Sequence, residues 1–92
     1  YNCTAIVGIQ VKMTAVRTVA NKLAQKPNVG YLTSVAGRYD LIAIVITKTN
    51  QELSDFIELE MVTIPGVLRT ETYINTNTIK GKWGIIETSE LI

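Results

Sequence analysis

Four consecutive residues, Gly37-Arg38-Tyr39-Asp40, have the types and spacing that could bind a polar ligand in this 92-residue chain. Asp40 follows a glycine turn at the mouth of an apolar strand. There its carboxylate could pair with a cationic ligand group, a charge-assisted contact that is strong in low dielectric. From the residues alone the favoured reading is that it accepts from backbone amides of its own turn, as aspartates in turns commonly do. Gly37 and Arg38 would offer backbone N–H groups to a ligand carboxylate, since a residue without Cβ lets a ligand approach the main chain. The alternative for Gly37 is a turn that requires positive φ. The Arg38 side chain reads as well as a solvated rim charge, and Tyr39 either walls a pocket or packs on the sheet. Thr70 and Thr72 add hydroxyls on a later strand, although threonine is an ordinary strand former. Thr33 and Val35 carry a weaker version of the same signal.

Catalytic chemistry is poorly served. The sequence has no histidine, so neither a Ser-His-Asp arrangement nor a histidine-based metal site is available, and no metal or cofactor is expected. Cys3 has no base nearby in sequence and reads as a small apolar residue rather than a nucleophile. Glu58 and Glu60 are two apart on a helix and cannot share a face. The glycine spacing fits neither a P-loop nor a dinucleotide fingerprint.

Composition narrows the class further. Hydrophobic residues make up 47% and charged residues only 18%, which is apolar for a domain with so high a surface-to-volume ratio. Burial of some apolar surface against another copy explains the excess. The net charge of +1 is spread without a basic stripe, so contact of this segment with nucleic acid is not expected. One cysteine excludes an intrachain disulfide and suits a reducing cytosol. No run approaches the ~20 apolar residues of a membrane helix, and no signal peptide opens the sequence, so no membrane partner is expected. The first residue, Tyr1, leads us to expect a piece of a longer protein.

The elements that must hold the hairpin follow from periodicity. Thr4 to Val11 reads as a strand with Ala5, Val7, Ile9 and Val11 on one face. Thr14 is placed to cap a helix to about Lys26, with Val16, Val19, Ala20 and Leu23 as its buried stripe and Pro27 as its stop. Gly30–Ala36 and Tyr39–Ile46 read as strands joined by a two-residue type II′ turn at Gly37-Arg38. The second of these is apolar on both faces, as a central strand would be. Thr49 and Glu52 have capping-box spacing for a second helix from near Asn50, with Leu53, Phe56, Ile57 and Met61 inward and Ile64-Pro65-Gly66 at its end. A Thr-rich strand is expected from Val67 to Ile79. Trp83, after Lys80-Gly81-Lys82, reads as an anchor on a neighbouring subunit, and Ile85–Ile92 as a further strand or docking arm. The order βαββαβ is the ferredoxin-like arrangement, an α+β antiparallel sheet with two helices on one face. Its other face needs a cover, and a second sheet stacked on it predicts a dimeric α+β barrel. The whole chain, residues 1–92, is expected to be a single domain.

These pieces together resemble the effector-binding half of the Lrp/AsnC (leucine-responsive and asparagine regulator) family. The motifs are Ala5-Ile6-Val7-Gly8-Ile9 leading to Val19-Ala20-Asn21-Lys22-Leu23-Ala24, then Thr33-Ser34-Val35-Ala36-Gly37-Arg38-Tyr39-Asp40-Leu41, and finally Ile64-Pro65-Gly66-Val67-Leu68-Arg69-Thr70-Glu71-Thr72. The resemblance covers about Thr4 to Trp83. It implies a cytoplasmic module that binds a small-molecule effector, an amino acid in the first instance. It also implies a homodimer that assembles further to a tetramer or octamer. Gly37, Arg38, Tyr39 and Asp40 would line the effector site where dimers meet, with Thr70 and Thr72 at a position that faces the effector. Members usually carry a winged helix-turn-helix; none is present in this sequence, and DNA would be met only through a domain outside it. The sequence is then either a piece cut from a full regulator, as Tyr1 favours, or one of the stand-alone effector domains that the family also includes. Two rivals share the architecture. One is an assembly domain with a degenerate effector site; the other is a dimeric α+β barrel enzyme, disfavoured by the missing histidine.

Overall fold

Alternation of β-branched residues produces the first strand as expected. The structure, a computed structural model, describes residues 3–81; Trp83 and the segment Ile85–Ile92 lie outside the described residues. Strand β1 (Cys3–Val11) points Ala5, Val7, Ile9 and Val11 into the core. Strands β2 (Val29–Ser34), β3 (Leu41–Thr47) and β4 (Val67–Ile74) complete an antiparallel sheet of order β2-β3-β1-β4. The register pairs Ile9 with Leu41 and Thr70, and Val7 with Ala43 and Thr72. The two-faced apolar strand is indeed internal. Strand β4 is shorter than its Thr pattern suggested, for it stops at Ile74, and Asn75 then donates its N–H to Thr4 O at 2.8 Å.

Helix α1 (Val16–Ala24) buries Val19 and Leu23 completely. Thr14 does not cap it. A single 3-10 turn, Met13–Ala15, precedes the helix, and Ala15 occupies the N-cap without a side-chain hydrogen bond. The cause is tertiary: Lys12 N–H is already tied to Gly66 O at 2.8 Å, and Ala15 N–H turns back on Lys12 O. Gly66 has φ +103, and a Cβ there would stand 2.5 Å from Ala15 Cβ. Only glycine meets both demands, so the exit of the second helical segment is fitted against the start of the first.

Helix α2 (Asn50–Phe56) starts at the N-cap that the Thr-x-x-Glu spacing marks, but only one half of the capping box forms. Thr49 accepts from Glu52 N–H at 3.1 Å, while Glu52 Oε1 accepts from Lys48 N–H at 3.3 Å, one residue before the N-cap. Instead of one regular helix, a π-turn follows over Ile57–Met61, closed by Val62 N–H on Ile57 O at 3.0 Å. The wider turn keeps Met61 in the core beside Leu53 and Phe56. Both helices cover one face of the sheet. The opposite face carries Ile6, Ile42, Ile44 and Ile46 with Tyr31 and Tyr73, of which Ile6 is 38% and Tyr73 56% exposed.

The β2–β3 connection departs from the expected two-residue turn. It runs from Val35 to Asp40 and is closed by Val35 N–H on Asp40 O at 3.0 Å. Gly37 does not adopt positive φ; among the described residues only Gly66 does. Contacts with β1 take over where β2 ends, and they release the turn from the tight geometry that its sequence suggested.

Candidate functional site

The hairpin that carries Gly37, Arg38, Tyr39 and Asp40 is fixed at its base and open at its tip. Asp40 N–H donates to Ile9 O at 3.0 Å, and Val11 N–H donates to Asp40 Oδ2 at 2.8 Å. The carboxylate thus satisfies a backbone amide, as turn aspartates do, but one 29 residues away at the end of β1 rather than in its own turn. Among the described residues, Oδ1 accepts no hydrogen bond. At the tip, Gly37 and Arg38 are exposed, and their amides donate to no acceptor among the described residues. Among the described residues nothing lies within 4 Å of where a Gly37 Cβ would be, so no close approach to them requires the glycine.

Tyr39 turns the other way. Its ring lies flat on Gly8 at the middle of β1, where an added Cβ would meet Tyr39 Cδ2 at 2.8 Å. Its hydroxyl donates to Glu71 Oε1 on β4. That hydrogen bond, with a second from Tyr73, holds the Glu71 carboxyl below its ordinary range, and Arg69 and Arg38 act in the same direction. The same bond to Glu71, with burial, raises Tyr39 above the usual tyrosine range. Sequence reasoning left Gly8 and Glu71 out of the site. The signal for Gly8 was present: a glycine inside a β-branched strand marks a close approach. Glu71 had none, because a glutamate on a Thr-rich strand looks like solvated surface.

Thr70 and Thr72 are not brought to Tyr39. They pair with Ile9 and Val7 and so lie on the helix side of the sheet. Thr72 there joins Leu53, Ile57 and Ile74 along a cleft of about 260 Å³ between α2 and β4. Tyr39 and Glu71 occupy the open face. A second cleft of about 210 Å³ has Glu52, Asp55 and Glu60 on its walls, with Glu60 paired to Lys26 at 3.3 Å. Neither cleft includes the hairpin. Among the described residues no cluster of His, Cys, Asp or Glu is arranged to hold a metal, and no helix is long and apolar enough to cross a membrane.

A four-stranded antiparallel sheet with two helices on one face is the ferredoxin-like arrangement, here with a Gly-x-Tyr-Asp hairpin at one end. The chain belongs to the family described as the Lrp/AsnC ligand binding domain, whose model matches residues 4–83. An uncharacterised HTH-type transcriptional regulator of Pyrococcus abyssi is 37% identical over 84 residues, covering 91% of this chain and 52% of its own. The HTH-type transcriptional regulator FL11 of Pyrococcus horikoshii is 34% identical over 91 residues, covering 99% of this chain and 56% of its own. The chain spans about half the length of these curated relatives. Both are regulators, and the family is not one of enzymes.

Solved structures agree. A protein from Thermus thermophilus superposes with a TM-score of 0.81 at 33% identity, covering 86% of this chain and 99% of its own. Escherichia coli AsnC gives 0.83 at 20% identity, covering 88% of this chain and 55% of its own, a likeness of fold.

Proposed function

We propose that this chain is the effector-binding and self-assembly module of a cytoplasmic transcription regulator, and that an amino acid binds at the Gly37–Asp40 hairpin. The observation that carries this reading is the polarity of the hairpin. Among the described residues the amides of Gly37 and Arg38 are unengaged, which suits a carboxylate, and so is one carboxylate oxygen of Asp40, which suits an ammonium group a few residues away. A regulator of the same fold from Neisseria meningitidis, 16% identical, was solved with L-methionine. That likeness is one of fold, so amino acids are adopted here as a class and methionine is not singled out. Thr70 and Thr72 lie on the other face from Tyr39 and would contribute from a different protomer.

The apolar open face supports a homodimer built by stacking two sheets, with tetramers or octamers assembled from dimers. Effector binding would then act by linkage: a ligand that prefers one assembly shifts the equilibrium towards it. DNA contact would fall to a helix-turn-helix domain such as that named in the relatives. A thermal-shift series with each common amino acid at millimolar concentration tests the reading. A ligand at 100 times its Kd adds about 2.7 kcal/mol, on the order of 10 °C for a domain of this size. Asp40→Asn keeps an acceptor for Val11 N–H while removing the charge, so it should abolish the shift without unfolding the chain. An unchanged shift in Asp40→Asn would remove Asp40 from the site. No shift with any amino acid would leave assembly as the function.

A further inference from the structure

Asp40 is secured by its own hydrogen bonds to Ile9 and Val11, but nothing of that kind reaches Gly37 or Arg38 among the described residues. The side chain that connects the tip of the hairpin to the rest of the protein is Tyr39. Its ring fills the space that Gly8 leaves empty, and its hydroxyl crosses β1 to Glu71. The groups facing Glu71 are Tyr39 and Arg38 from the hairpin and Arg69 and Tyr73 from its own strand. From β1, the residue paired with Glu71 is the uncharged Gly8. Aromatic cover of a strand glycine is a known way to hold a local conformation. Here the cover comes from within the effector hairpin.

We propose that Glu71 is a positioning residue of the effector site: by holding the Tyr39 hydroxyl across Gly8, it presets the Gly37 and Arg38 amides for the ligand. The inference rests on the reading of the hairpin as the effector site. It adds that effector affinity depends on a carboxylate that would not touch the effector. Because Glu71 and Tyr73 share the open face with Ile6, hairpin order is also tied to the surface that a second copy would cover.

The test combines four variants of the full chain with two readouts. Tyr39→Phe removes only the hydroxyl, Gly8→Ala lifts the ring, Glu71→Leu removes the acceptor, and Glu71→Gln keeps an acceptor oxygen. Backbone ¹⁵N order parameters at Gly37 and Arg38 need no ligand. They should fall from the rigid range of about 0.85 towards 0.6 or below in the first three variants and stay high in Glu71→Gln. Affinity for the twenty L-amino acids, titrated singly, should weaken about three- to tenfold in the same three, the scale of one lost hydrogen bond, and recover in Glu71→Gln. A role in general stability would move the melting temperature without confining the loss of order to residues 36–39. Unchanged order parameters in Tyr39→Phe and Glu71→Leu would overturn the proposal, as would a Glu71→Gln protein as impaired as Glu71→Leu. Failure of every amino acid to bind the wild-type chain would instead overturn the effector reading, leaving the order parameters to decide the role of Glu71.

Discussion

Asp40 has two oxygens with different employment, and that division decides what its variants can show. Oδ2 takes Val11 N–H, so truncation to alanine strands a partly buried amide and costs about 1–3 kcal/mol whatever the ligand does. Asp40→Asn separates that bond from the proposed contact with an ammonium group. The Tyr39–Glu71 pair makes a prediction about pH. Glu71 titrates lower in the folded chain than unfolded, so its contribution to stability is fully present above the unfolded value of about 4.3. It is lost as pH falls through the lower, folded value. Denaturant unfolding of wild type and Glu71→Gln should therefore differ at pH 6 and converge at acid pH; a constant offset over that span would mean that the charge of Glu71 does not matter. At this scale the sequence was half legible. Gly37 through Asp40 stood out by type and spacing. The roles within that run did not, because Tyr39 points to β4 and Asp40 to β1, and both partners are distant in sequence.

The two helical segments show where local signals suffice and where they do not. The helix start at Thr49 was readable because every group involved is within four residues: Thr49 accepts from Glu52 N–H, and Glu52 takes the amide of Lys48 in place of that of Thr49. Thr49→Ala should lower stability by about 0.5–2 kcal/mol in a denaturant titration; no loss would mean that packing of Leu53 and Phe56 alone sets the start of α2. Thr14 looked equally suitable and caps nothing, since Lys12 is bound to Gly66, 54 positions further on. Gly66→Ala combines an unfavourable φ with a 2.5 Å contact to Ala15. Strain and overpacking of this kind cost roughly 1–3 kcal/mol each, so a loss of about 2–4 kcal/mol is expected. A smaller loss would show that α1 can move away at little cost. The hairpin turn failed for the same reason as Thr14: Gly37-Arg38 has the local chemistry of a tight turn, and contacts to β1 override it.

For the whole molecule, the apolar composition and the βαββαβ order already required a sheet with one uncovered face, and the structure places Ile6, Ile42, Ile44 and Ile46 there. Ile6 is 38% exposed in the isolated chain, so Ile6→Lys should leave the monomer folded while abolishing the proposed sheet-to-sheet dimer. A dimer that survives this change would use another surface. Sequence could not set the depth of assembly or the identity of an effector, because in the proposed assembly both would depend on side chains supplied by several copies. An amino acid at the hairpin that changes how copies associate would be seen most directly by sedimentation velocity, on the chain alone and with each common amino acid at millimolar concentration. The expected result is a species of at least twice the 10.2 kDa chain mass without ligand and a change of mass with one or a few amino acids, absent in Asp40→Asn. A mass that never changes with any of them, or a change that persists undiminished in Asp40→Asn, would contradict it.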